Sequence, residues 1–310
     1  MNGLKRNLKG LLFISPWLVG FSIFGVYPMG MAIYLSFTNY NILQPATTKF
    51  IGLENLTRMV NDPLFWKSLI NTGWMTGVGV PITIVLGVLI AIPLSQNMRG
   101  VSFYRTLIYL PTLVPPLVVT LLFLWILNPN YGLLKVPFQL FNIPSPGWLA
   151  DPTWSKPAIL IMVVWNTIGQ VIVISLAGLR DIPRHLYEAA EIDGAGKWDK
   201  FVNVTLPGLS PVIFYNLLTA VLFFLQIFTQ AYAASAGGSG GGGTAQNIGA
   251  PVNSTLMLSL NVYKNAFGFW QAGYASMMSL VILVLSLVLA ALFFRFARNS
   301  VHYGFSVDAS

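Results

Sequence analysis

The sequence predicts an all-α membrane protein with six transmembrane helices, on the evidence of its composition and of where its charges lie. Of 310 residues, 55% are hydrophobic and only 8% charged, with a mean hydropathy of +0.69. Soluble domains carry about 25% charged residues. The few charges are also confined: no Asp, Glu, Lys, Arg or His occurs in 10–48, 68–98, 106–134, 157–179, 201–263 or 265–294. A helix needs roughly 20 apolar residues to cross a hydrocarbon core about 30 Å thick, so each interval holds one crossing. The interval 201–263 is long enough for two, but its second half is too polar and Gly-rich. Barrel strands alternate in short segments, whereas these runs are continuous.

The first span, 11–37, follows the basic stretch Lys5-Arg6-Asn7-Leu8-Lys9. It is longer than a signal-peptide core and lacks a small-x-small cleavage site, so it reads as a retained helix. An outward loop, 39–68, contains Pro45, Gly52, Asp62 and Pro63. The second span, 69–94, holds Pro81 and Pro93. After the turn 96–103, the third, 104–127, holds Pro111, Pro115 and Pro116. Each proline removes a backbone donor and interrupts its helix, leaving carbonyls that neighbouring helices must satisfy. Packing kinks and a hinge for alternating access both fit. The Pro-rich segment 128–157 follows. Its Phe138, Phe141, Trp148 and Trp154 suggest a folded cap at the interface, where Trp is favoured. The remaining spans are 158–177, 209–231 and 273–294. The loop 233–253 between the last two contains the Gly-rich run 237–243, flexible by composition. It fits a plain linker or a mobile contact for an external partner. Asn253-Ser254-Thr255 matches a glycosylation sequon, which chance explains.

An excess of Lys and Arg marks the cytoplasmic side. With the N-terminus inside, that side holds Lys5, Arg6, Lys9, Arg99, Arg105, Arg180, Arg184, Lys197, Lys200, Arg295 and Arg298; the other holds Lys49, Arg58, Lys67, Lys135, Lys156 and Lys264. Both termini are therefore expected in the cytoplasm. The formal net charge of +8 is mostly this topology signal, and with no basic patch away from the membrane flanks a nucleic-acid partner is excluded. The partner implied for the spans is membrane lipid. With no cysteine, disulfides and thiolate metal sites are ruled out. His185 and His302 have no ligand-like spacing, so no metal site is expected.

The most informative stretch is the polar loop 178–208, containing Glu188-Ala189-Ala190-Glu191-Ile192-Asp193-Gly194-Ala195-Gly196 and, farther on, Leu206-Pro207. It reads as two short helices. Pro183 suits a first helical turn and Asp181 its positive end. Leu186, Ala189, Ala190 and Asp193 follow i, i+3, i+4, i+7 and share a face, shallow at the two alanines. Gly194 and Gly196 permit a reversal. A second helix, about 197–204, carries Trp198, Phe201 and Val202 toward the membrane, and Leu206-Pro207 ends it and starts the fifth span. Such an elbow is continuous with spans four and five, so force applied to it must move them. It is not a phosphate-binding loop: Trp198 follows Lys197, and Glu191 stands where the first Gly should be. No other stretch fits one either, so the chain is not expected to hydrolyse ATP alone and its energy must come from a partner; no catalytic residues are expected in it.

Glu188-Ala189-Ala190, Gly194 and Leu206-Pro207, with the lead-in Leu179-Arg180-Asp181-Ile182-Pro183, resemble the signature loop of binding-protein-dependent ABC importer permeases of the carbohydrate-uptake group. Further resemblances are Pro16-Trp17, Tyr27-Pro28, Leu35-Ser36-Phe37, Phe50-Ile51-Gly52-Leu53-Glu54-Asn55, Phe103-Tyr104-Arg105, Leu110-Pro111 and Thr255-Leu256. The Gly-rich run departs from that pattern, being longer and with its first proline delayed to Pro251. The resemblance implies a type I ABC importer permease bundle in a bacterial plasma (inner) membrane. Its transport core would be 69–298, after an N-terminal helix and loop, 1–68, and before a tail, 299–310. It implies no cofactor in this chain, with ATP and Mg on a partner ATPase. The implied partners are a second homologous permease subunit, two ATPase subunits and an extracytoplasmic solute-binding protein. In that family the loop docks into a cleft on the ATPase, which makes Glu188, Ala189, Ala190, Asp193, Gly194, Leu206 and Pro207 the expected coupling residues.

No ionisable group lies inside the expected spans, so a proton relay or fixed counter-ion is unavailable. The solute is expected to be neutral, or to have its charge handled by another subunit. Asn166 and Gln170, at i and i+4 beside Trp165, and Phe223, Gln226 and Gln230, at i, i+3 and i+7, supply amides and aromatic faces. These suit a sugar, whose hydroxyls bond amides and whose ring stacks on aromatics. Interhelical hydrogen bonds are the other use of such residues. A secondary carrier or channel needs intramembrane charge, a filter or paired repeats, and a membrane enzyme needs a nucleophile–base or metal constellation. The sequence offers none of these.

Overall fold

The computed structural model describes residues 13–96, 99–238 and 246–300, with side chains to residue 297. Most of the Gly-rich run, the basic N-terminal residues and most of the tail lie outside the described residues. The chain divides into two compact units. One takes the N-terminal segment through Pro63 together with Val262–Leu283, and the other takes Leu64–Asn261 with the residues from Val284 on.

In the first unit, helix α1 (Phe13–Ser36) is the first span. Its apolar side chains are mostly exposed, as suits a helix facing lipid. Beyond it the chain doubles back, pairing Thr38 with Phe50, and enters α2 (Glu54–Asn61). Buried Asn55 fixes this turn, its Nδ2 donating to the carbonyls of Ser36 and Thr38 at 2.8 Å each. Asp62 accepts from the Tyr274 hydroxyl at 2.7 Å. Arg58 donates to Gln271 Oε1 at 2.7 Å and lies 4.2 Å from the Tyr274 ring centroid.

The second unit holds spans two to five, while the sixth, Ala272–Ala297, is divided between the two units. Helix α3 (Pro63–Ser95) runs unbroken through Pro81 and Pro93, so the interruption expected there does not occur. The third span does break, into α4 (Val101–Leu113) and α5 (Pro116–Ile126), which meet at 99°. Consecutive prolines remove two donors there, and Val114 and Pro115 adopt extended backbone. After the short helix α6 (Lys135–Leu140), the fourth span is α7 (Pro152–Asp181), capped by Asp151, which accepts from the Thr153 amide at 2.8 Å. It outruns the charge-free interval at both ends, because charged ends reach out of the hydrocarbon. Phe138, Trp148 and Trp154 form the expected aromatic cap, with ring centroids 6.0 and 5.2 Å apart in sequence. Phe141 stays exposed.

The spans approach closely where side chains are absent. A Cβ on Gly79 would lie 2.0 Å from the Phe224 ring, and one on Gly178 2.5 Å from Val212. Lipid supplies no hydrophobic drive between helices, so close packing of small residues does this work. Ala91, Leu94, Ile172 and Leu176 form a buried core between α3 and α7.

Candidate coupling elbow and solute cavity

Between α7 and the fifth span lie α8 (Arg184–Ile192) and α9 (Lys197–Lys200). The reversal rests on Gly194 alone, at φ +77°. Its amide donates to Glu191 O at 3.1 Å and the Ala195 amide to Ala190 O at 2.8 Å, the Schellman arrangement that closes a helix with a left-handed glycine. Gly196 lies at φ −71°, ψ 177°, so its expected role in the reversal is not realised; it caps α9, with its amide bonded to Asp199 Oδ2 at 3.0 Å. Pro183 stands just before α8 rather than in its first turn, and Asp181 closes α7.

The expected end at Leu206-Pro207 is also corrected. From α9 the chain stays helical through a wide π-turn, Phe201–Thr205, and through Leu206–Gly208, turning only at Leu209. The fifth span then begins as α10 (Ser210–Leu225).

Three contacts bind the elbow into one piece. Lys200 Nζ meets Glu191 Oε1 at 2.6 Å, the Tyr187 and Thr205 hydroxyls lie 3.0 Å apart, and buried Ile182 packs where a Gly208 side chain would stand. Glu188, Ala189, Asp193 and Gly194 are exposed on its outer surface, Leu206 is exposed, and Ala190 and Pro207 are half-buried. Trp198, expected to face the membrane, is 71% exposed, and Ile192 is 87% exposed.

The fifth span pauses at 226–228 before α11 (Thr229–Gly238). This pause separates the stripe expected from sequence: Phe223 lies in the last turn of α10, Gln226 is exposed at the break, and Gln230 is buried in α11, its Nε2 without a partner among the described residues. Gln170 and Phe223 do come together. They line a cavity of about 190 Å³ with Thr83 of α3, Thr167 of α7, and Asn216 and Thr219 of α10. Sequence reasoning missed those four. The signal was the same stripe continued one turn back, since Asn216, Thr219 and Phe223 repeat at i, i+3 and i+7. Among the described residues no charged side chain lines the cavity. Trp165 and Asn166 are not among its lining residues. Trp165 meets the Phe123 ring edge-on at 5.5 Å, and Asn166 Nδ2 donates to the carbonyls of Pro111 and Val114 at 2.8 and 3.1 Å.

Apolar spans around a half-open pocket that mixes amides and hydroxyls with Val171, Ala220, Phe223 and Phe224, with a helical elbow between spans four and five, define a multi-pass membrane subunit for solute passage. The chain belongs to the family of binding-protein-dependent transport system inner membrane components, whose model matches residues 83–300. It is 35% identical to a probable ABC transporter permease protein, YesP, of Bacillus subtilis (strain 168), over 96% of this chain and 93% of that one. It is also 35% identical to the lactose transport system permease protein LacF of Rhizobium radiobacter, over 96% and 97%. Its fold matches a chain in the crystal structure of a bacterial alginate ABC transporter in complex with an alginate pentasaccharide-bound periplasmic protein. There the TM-score is 0.80 at 19% identity, covering 96% of both chains. The chain is thus a permease subunit of an ATP-driven importer, a multi-pass protein of the inner membrane that works with a solute-binding protein.

Proposed function

We propose that this permease imports a neutral sugar or short oligosaccharide. The observation that carries the reading is the pocket, where Gln170, Asn216, Thr83, Thr167 and Thr219 gather beside the Phe223 ring with no charged side chain among the described lining residues. The three threonine hydroxyls already donate to carbonyls of their own helices and Asn216 Nδ2 to Ser175, which leaves the Gln170 amide and the acceptor oxygens for a solute. Hydroxyl groups exchange hydrogen bonds with such amides, and a sugar ring's apolar face stacks on an aromatic. The likeness to a permease named for lactose transport supports the same solute class.

In this reading the core is 69–298, both termini and the elbow face the cytoplasm, and the outward loops receive the solute-binding protein. Two ATPase subunits, carrying ATP and Mg, engage the elbows of this chain and of a second homologous permease. Glu188, Ala189, Ala190, Asp193 and Gly194 form the contact, while Leu206 and Pro207 pass its motion to the fifth span. Closure of the ATPases displaces the elbow, α7 and α10 follow, and the cavity changes the side to which it opens.

The test is reconstitution in proteoliposomes with the ATPase, second permease and solute-binding subunits, followed by uptake of labelled neutral di- and oligosaccharides and of charged solutes. ATP-dependent accumulation of a neutral saccharide is expected. Accumulation of charged solutes alone would overturn the assignment.

A further inference from the structure

The fourth span grips the break in the third at three points. Asn166, 6% exposed, donates from one Nδ2 to the carbonyls of Pro111, in the last turn of α4, and of Val114, just beyond it. Pro111 O also accepts the Val114 amide, so Val114 O is the one that depends on Asn166. Trp165, the preceding residue, meets Phe123 on the far side of the break, in α5. One turn on, Gly169 leaves no space at all: a Cβ there would lie 2.5 Å from Thr112 Oγ1 and 3.0 Å from the Ile108 carbonyl. Both halves of a helix bent by 99° are therefore fastened to a single stretch of α7. That helix runs unbroken to Asp181, where the elbow begins. From Asn166 to Asp181 is roughly 22 Å of helix at 1.5 Å per residue.

An exposed carbonyl is costly in a bilayer interior, because no water replaces a lost donor. The Asn166 amide thus cannot leave α4 freely, and α4 must accompany any shift of α7. Proline flanks allow the outer half α5 to change its angle without breaking further backbone bonds, since the donors at 115 and 116 are already missing.

We propose that Asn166 is a positioning residue that ties elbow movement to the broken third span, so that displacement of α7 reorients α5 at the Val114–Pro115 break. Asn166 acts as a clasp and not as a solute ligand. The inference rests on the permease reading above.

The test uses the complete transporter in proteoliposomes, with assembled complex quantified and both uptake and ATP hydrolysis measured. Asn166→Leu keeps the branched outline at a larger volume and removes both hydrogen bonds. Asn166→Gln keeps the amide, and with it a donor for the carbonyls, but lengthens the link by one methylene. Coupling between sites is commonly worth 5–150-fold, so solute imported per ATP, normalised to assembled complex, is expected to fall by roughly tenfold for Asn166→Leu. Asn166→Gln should assemble normally and show a smaller fall of the same kind, with hydrolysis continuing. Solute affinity should be unchanged in Asn166→Gln, because the residue does not face the cavity. Unaltered uptake per ATP in Asn166→Gln, or a raised half-saturating solute concentration with uptake per ATP intact, would overturn the inference. If the unsubstituted transporter imported nothing with ATP, the permease reading itself would fail.

Discussion

Replacing Gly194 with alanine isolates the conformational demand of the elbow. A Cβ there meets nothing within 4 Å, so no clash contributes. What remains is backbone: Gly194 lies at φ +77°, and an L-residue held in the left-handed region costs roughly 1–2 kcal/mol. Alanine also restricts the unfolded chain, which returns about 0.4–1 kcal/mol. The net loss spans about 0–1.6 kcal/mol and centres on about 0.8 kcal/mol, equivalent to roughly fourfold in local opening. The reporter is the Ala195 amide, bonded to Ala190 O across the reversal. Its hydrogen exchange should accelerate by that factor in Gly194→Ala. Gly196→Ala is the internal control, since φ −71°, ψ 177° is open to any residue and only the exposed Asp199 carboxylate lies near, at 3.2 Å. Exchange at Ala195 should be unchanged or slower there. Equal acceleration in the two variants would refute the account of the elbow as a closure resting on one glycine.

Filling the cavity with Thr219→Trp should suppress uptake while leaving assembly and ATPase docking intact, measured by uptake beside co-purification of the ATPase. Full uptake would place the solute path elsewhere. Burial lowers the Lys264 ammonium below its ordinary value of 10.5. The folded protein therefore sheds that proton before the unfolded chain does, and stability rises as pH climbs from the lowered value toward the ordinary one. Thermal unfolding across the alkaline range should show this rise, and Lys264→Met should flatten it.

The spans were legible because segregated charge is a coarse physical signal, requiring only that a run of residues avoid water. Their ends were less so: α7 begins before Lys156 and ends past Arg180, because charged residues tolerate helical backbone once outside the hydrocarbon. Proline effects were not legible individually. Pro81 and Pro93 sit inside a continuous helix while Pro115-Pro116 break theirs, and Asn166, about fifty residues away, donates to the Val114 carbonyl at that break and adds a second donor to Pro111 O beside the Val114 amide. The elbow's composition announced a reversal, but two glycines of equal standing in sequence turned out unequal in backbone. Within the cavity, periodicity found Gln170 and Phe223 and missed Asn216 and Thr219, because the stripe was read forward across a pause at 226–228 that no proline or glycine marks.

Gly194→Asp in the reconstituted importer tests the central claim most directly, because it sets a carboxylate beside Asp193 on the exposed surface of the elbow while leaving every span unchanged. ATP-driven uptake and solute-stimulated ATP hydrolysis should both be lost, with membrane insertion and solute-binding-protein docking retained. Undiminished uptake by that variant, or uptake without any ATPase present, would contradict the account.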